Sequence, residues 1–131
     1  MAINPNMKTL IVDDMNTMRK IVKGMFEKLG FKNLKEASDG KPAWELIQEA
    51  VEEGAPFEFI VSDWNMPGMT GIELLRKVRA FEATKKVPFL MVTAEGEKSN
   101  VLEAVKAGVS NYVVKPFTPD TLKEKLDKIF K

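Results

Sequence analysis

Two residue types are missing altogether from this 131-residue chain: cysteine and histidine. Without Cys there are no disulfides, no thiolate metal sites and no thiol nucleophile, a composition that fits a reducing cytoplasm. Without His there is no imidazole general base, no imidazole metal ligand and no phosphohistidine on this chain. Tyrosine is nearly absent too, with Tyr112 the single copy. The longest apolar runs are strand length, too short to span a membrane, and Met1 to Lys8 lacks the apolar block of a signal peptide. A net charge of +1 points to neither nucleic acid nor a membrane surface. Whatever chemistry occurs must run on carboxylate, hydroxyl, amide and ammonium groups.

Apolar patterning is plentiful, and it alternates between strand and helix. Phe57, Phe59, Ile60 and Val61 form a run of strand formers that stops at Asp63; Asn65, Pro67, Gly68 and Gly71 break the chain, and Ile72, Leu75 and Val78 resume at helical spacing. The same unit recurs without sequence repetition. Lys8 to Val12 runs into Asp13 and Asp14, then Asn16 is placed to cap a helix carrying Met18, Ile21, Val22, Met25, Phe26 and Leu29, closed by Gly30. Leu34 to Ser38 predicts a weaker strand. Asp39-Gly40 predicts a turn, and Pro42 the first residue of a helix that ends at Gly54. Val87 to Thr93 predicts a strand, and Val101, Leu102, Ala104 and Val105 the apolar face of a helix ending at Gly108. Asn111 to Val114 predicts the last strand, with a final helix capped by Thr118, opened by Pro119 and faced by Leu122, Leu126, Ile129 and Phe130.

Strand starts near 8, 34, 57, 87 and 111 leave room for one strand and one helix each. Five such units predict an α/β fold, a (βα)5 doubly wound parallel sheet with helices on both faces. Right-handed crossovers leave few topologies, and the order 2-1-3-4-5 places the first and third strands together at the switch point.

Asp13 and Asp14, Asp63, Thr93 and Lys115 each end a strand, so all five share the carboxyl edge of the sheet, where ligands bind. Three crowded carboxylates repel one another unless a cation sits among them. With oxygen donors only, the natural cation is Mg²⁺, and the backbone carbonyl of Asn65 stands where it could fill another position. Thr93 offers a hydroxyl and Lys115 a compact charge, the complement of a phosphoryl group. From Lys98 to Lys131, seven Lys face four acids, a bias that reads as a solvated helix face or as a docking surface.

The blocks LIVDD, SDWNMPGMTG, VTAE and YVVKPF, in this order and spacing, resemble the receiver domain of two-component response regulators. SDWNMP, VTAE, YVVKPF and the final KEKLDKIF resemble in particular its chemotaxis branch. The 2-1-3-4-5 order is also the order of that family. The resemblance covers the chain from about Lys8 to Lys131 and implies a single receiver domain over residues 1–131 with no output domain. It implies Asp63 as phosphoacceptor, Asp14 as a direct Mg²⁺ ligand, Asp13 as a ligand through water, and Asn65 as a carbonyl donor. Thr93 and Lys115 would hold the phosphoryl oxygens, Lys115-Pro116 would be cis, and Asn65 with Glu95 would tune loss of the phosphoryl group. Tyr112 would be the switch aromatic on a face that carries Lys98, Lys106 and Lys125.

The function implied is a phosphorylation-activated switch rather than an enzyme. It would take its phosphoryl group from a chemotaxis sensor histidine kinase, bind the flagellar motor switch as a monomer, and lose the phosphate by its own catalysis. A dedicated phosphatase is a further partner left open. One departure is visible: Pro42 to Pro56 is longer than usual in the family by about one helical turn. Three other readings compete. A single-domain phosphorelay intermediate, handing phosphate to another His protein, shares the receiver motifs, and only the chemotaxis-type blocks argue against it. An Asp-nucleophile phosphohydrolase needs a second Asp two residues after the nucleophile, where this chain has Asn65. A flavin-binding protein of the same fold needs a hydroxyl-rich phosphate loop after the first strand, where DDMNTM is acidic.

Overall fold

The computed structural model describes residues 4–93 and 98–130, with side chains from 101 onward in the second stretch. Strands β1 (Thr9–Val12), β2 (Leu34–Ala37), β3 (Phe59–Asp63), β4 (Phe89–Thr93) and β5 (Asn111–Val114) alternate with five helices. These are α1 (Asn16–Lys28), α2 (Gly40–Glu52), α3 (Gly71–Ala80), α4 (Lys98–Lys106) and α5 (Pro119–Ile129). The strands form one sheet in the order β2-β1-β3-β4-β5, every pair parallel, as expected.

Period-two alternation along the buried strands sorts their side chains into two cores. Leu10, Val12, Ile60, Phe89 and Met91 face α2, α3 and α4, meeting Ile47, Ile72, Leu75 and Ala104. Ile11, Phe59, Val61, Leu90 and Val92 face α1 and α5, meeting Val22, Phe26, Leu122 and Leu126. Both faces of β3 and β4 are therefore buried, so their last residues are held by packing on two sides. Register completes the arrangement: Val12 pairs with Ser62, Asp63 with Val92, and Thr93 with Val114. The strand ends thus arrive at one edge in step.

Boundaries shift where local chemistry competes with pattern. β3 begins at Phe59 rather than Phe57, and Phe57 instead lies buried beneath the Lys8 ammonium, 4.7 Å from its ring centre. β4 begins at Phe89, one residue after Pro88, which cannot donate to the ladder. Asn16 does not cap α1. The N-cap is Met15, whose N–H donates to Asp13 Oδ1 at 3.0 Å, while the Asn16 amide oxygen accepts from Arg19 Nη2. Nor is Pro42 the first residue of α2: Asp39 caps the helix by accepting from the Lys41 N–H, so Gly40 opens it and Pro42 stands third. Proline is tolerated there because the first four N–H groups have no helical partner. The final helix matches expectation, with Thr118 accepting from the Thr121 N–H and Pro119 first.

The expected apolar face of α4 is only partly used. Ala104 is buried and Val101 half-buried, but Leu102 and Val105 are more than half exposed. No helix among the described residues is long and apolar enough to cross a membrane.

Candidate functional site

Asp13, directly after β1, and Asp63, the last residue of β3, are buried side by side; Asp14 is exposed at their rim. One carboxylate oxygen from each of the three lies within 4.8 Å of the others. Lys115, immediately past β5, projects its ammonium across this cluster, 3.3 Å from Asp63 Oδ1 and 3.5 Å from Asp13 Oδ2. Its own N–H donates to the Thr93 carbonyl at 2.7 Å, which brings the fifth strand's exit to the end of the fourth. Thr93 is buried as the last residue of β4. The five residues expected at the carboxyl edge are therefore neighbours.

Charge at this site is unbalanced. Two buried carboxylates share one ammonium, and a third carboxylate stands at the rim. Burial pushes the Asp63 carboxyl above its ordinary value; the Lys115 ammonium opposes this, and the charge of Asp13 adds to it. Hard oxygen donors with surplus negative charge suit a hard divalent cation, and Mg²⁺ is such an ion.

The residues around the cluster fall out unevenly. Asn65 is exposed on the loop leaving Asp63, two residues on. Glu95 lies outside the described residues, as does the side chain of Lys98, although its backbone opens α4. The Lys115-Pro116 peptide is cis, as the resemblance implies. Tyr112 is half-buried on β5 and lines a cavity of about 10 Å³ with Trp64, Met91, Thr93, Val101 and Ala104. Lys106 is exposed, but Lys125 lies half-buried with its ammonium 5.0 Å from the centre of the Tyr112 ring.

Two contributors escape a reading of the sequence. Arg19, on the first turn of α1, turns back to donate from Nη1 to the Asp13 carbonyl at 2.7 Å and from Nε to Glu36 Oε1 at 3.1 Å. Lys23 takes the other Glu36 oxygen at 3.2 Å. Partial burial works against the Glu36 charge, yet hydrogen bonds from Lys23 and Arg19 outweigh it and hold the carboxyl below its usual range. Gly71, first in α3, is the other. A Cβ there would overlap the Asp63 carbonyl and meet Met91 Sδ at 2.9 Å, so only glycine lets α3 start against the end of β3.

A family model for the response regulator receiver domain matches residues 9–127. The chain belongs to the receiver domain family. Among its relatives, the receiver is 54% identical over 128 residues to the chemotaxis protein CheY-3 of Vibrio cholerae, covering 98% of this chain and 95% of that protein. It is 55% identical over 124 residues to the chemotaxis protein CheY of Pseudomonas aeruginosa, covering 95% and 96%. Its fold is similar to that of the chemotaxis protein CheY4 of Vibrio cholerae, with a TM-score of 0.84, 35% identity, and coverage of 95% of this chain and 98% of that one. The likeness spans β1 to α5 and so includes every strand end that builds the site. This receiver is of the CheY type, which agrees with the chemotaxis branch named by its motifs.

Proposed function

We propose that this receiver is a switch set by phosphorylation of Asp63 and read by a protein partner in chemotaxis. The observation that carries the reading is the Asp63 carboxylate, buried at a strand end, facing Lys115 at 3.3 Å within a cluster of three carboxylates. Asp63 acts as nucleophile: a carboxylate oxygen forms a bond to phosphorus as the bond to the donor's imidazole nitrogen or acyl oxygen breaks. The leaving imidazole or carboxylate departs with the bonding electrons. Lys115 and the Thr93 hydroxyl take the phosphoryl oxygens. Since the chain has no His, the donor is a phosphohistidine on a separate sensor kinase, or a small acyl phosphate.

Asp13, Asp14 and Asp63, with the Asn65 carbonyl, are the residues that would hold Mg²⁺. When bound, the ion would neutralise charge on the transferred group. Hydrolysis restores Asp63: water attacks phosphorus, inorganic phosphate leaves, and the carboxylate is regenerated, on the side that Asn65 borders. The chain modifies only itself, which makes it a switch rather than a turnover enzyme; Asn65 replaces the second Asp that a phosphohydrolase would use as general acid.

The output surface is the face made by α4, β5 and α5, where Leu102, Val105 and Val114 are exposed beside Lys106. The partner in this reading is a flagellar motor switch protein, in keeping with relatives that are chemotaxis proteins by name, and exposed apolar side chains beside Lys suit an acidic amphipathic segment. The test is phosphate uptake from acetyl phosphate with Mg²⁺, followed by intact mass spectrometry. Wild type gains one acid-stable, base-labile phosphate and Asp63→Asn gains none. Equal uptake by the variant would remove Asp63 from its role.

A further inference from the structure

Of the three clustered carboxylates, two are held by direct contacts. Asp13 receives the Met15 N–H on Oδ1 and the Lys115 ammonium on Oδ2, and Asp63 receives Lys115 on Oδ1. Asp14 is the exposed member, and among the described residues its carboxylate makes no hydrogen bond or ion pair. Its position has to be set through the backbone.

The backbone contact that can do this is the one Arg19 makes. Its Nη1 donates to the Asp13 carbonyl at 2.7 Å. That carbonyl belongs to the planar unit that also contains the Asp14 nitrogen and Cα, so pinning the oxygen pins the start of the Asp14 side chain. The guanidinium is fixed in turn: Nε donates to Glu36 Oε1 on β2, and Nη2 to the Asn16 amide on the first turn of α1. A rigid fork with three acceptors, on β2, on α1 and just past the end of β1, is a poor design for a solvated surface charge and a good one for an orienter. Arg19 is only 15% exposed at its side chain.

We infer that Arg19 is a positioning residue for the metal site: through the Asp13 carbonyl it sets the Asp14 carboxylate against Asp13 and Asp63. The inference rests on the reading of that cluster as a Mg²⁺ site. It makes a prediction opposite to simple electrostatics. Removing a positive charge near a cation site should tighten cation binding, whereas removing an orienter should loosen it.

The test is Mg²⁺ titration of the full chain, followed by Trp64 emission, with a thermal melt of each metal-free variant. Arg19→Gln and Arg19→Lys should each raise the Mg²⁺ midpoint by about tenfold, the low end for groups that orient a metal ligand from behind. Lysine keeps the charge but loses the fork, so a shared loss identifies geometry. A midpoint within twofold of wild type for Arg19→Lys, or tighter binding by Arg19→Gln, overturns the inference. Should the Arg19 variants fail to fold, Glu36→Ala decides: it frees the guanidinium from the opposite end, and an unchanged midpoint overturns the inference. Asp14→Asn separates the two levels. If Asp14→Asn titrates like wild type, the metal reading itself fails; if it loses the response while Arg19→Lys keeps it, only the role of Arg19 fails.

Discussion

Asp63 is asked to be buried and charged at once, and the conflict has a measurable sign. Its carboxyl is pushed above the ordinary 3.8, so the folded chain binds this proton more tightly than the unfolded chain does. The associated stability is complete below pH 3.8 and is lost as pH rises through the higher folded value. At neutral pH the metal-free protein therefore carries a carboxylate that burial disfavours, partly offset by the Lys115 ammonium. Asp63→Asn removes that charge at constant shape and leaves Lys115 its contact with Asp13 at 3.5 Å. In chelator at pH 7 the variant should melt higher than wild type by a few degrees, with the gap closing toward pH 4. Magnesium at 100 times its dissociation constant should stabilise wild type by about 2.7 kcal/mol and so reverse the ranking. A variant that melts below wild type in chelator would refute the account of Asp63. All of this was legible in part. Asp63, Asp13, Asp14, Thr93 and Lys115 stand out in the sequence because each ends an apolar run. Arg19 does not, because a basic residue on the exposed side of an amphipathic helix looks like solvation until the fold turns it back onto Asp13.

Elements position the site by how they begin. α3 starts against the Asp63 carbonyl at Gly71, whose N–H donates to the Trp64 carbonyl at 2.9 Å. Its N-terminus is closed by a capping box, Thr70 accepting from the Glu73 N–H and Glu73 from the Thr70 N–H. Gly71→Ala forces a methyl into the Asp63 backbone, and the overlap should destabilise the fold by about 1–3 kcal/mol in urea unfolding. Because the strain falls on the last residue of β3, the Trp64 response to Mg²⁺ should weaken too. Unaltered unfolding of Gly71→Ala would mean that α3 can retreat from β3 freely. Sequence pattern identified Gly71 only as a break, since nothing in GMTGIELL reports which backbone the glycine meets. Helix starts were misread elsewhere for a related reason. Asn16 has the right identity for a cap, but Met15 takes that place through its N–H bond to Asp13, while Pro42 suits a first residue but Asp39, itself a favoured cap, starts α2 two residues earlier.

At the scale of the whole molecule, the site and the proposed output face are joined by β4 and β5, and the joint is tight. Thr93 ends β4 beside Asp63, and Tyr112 lies one strand over with its ring against the same small cavity. At about 10 Å³ that cavity barely admits one water, far less a phenol ring. Tyr112 therefore cannot turn inward while Thr93 and α4 stay where they are. In the proposed switch, phosphate on Asp63 would give the Thr93 hydroxyl a new acceptor; its movement toward the site would enlarge the space behind it, and the ring could follow. Leaving its outer position costs Tyr112 the Lys125 ammonium, a contact worth about 0.5–1 kcal/mol at an exposed site, so phosphorylation must supply more than that. A differential affinity of about 1.4 kcal/mol shifts such an equilibrium tenfold, and one charge-assisted hydrogen bond is of sufficient size. Affinity for a motor-switch peptide, measured with and without beryllofluoride, should rise at least tenfold in wild type. In Thr93→Ala the hydroxyl that links phosphate to ring is gone, and the gain should fall to about twofold or less while beryllofluoride still binds. If Thr93→Ala keeps the full gain, the coupling runs by another route, and the cavity that Thr93 and Tyr112 both line is packing alone.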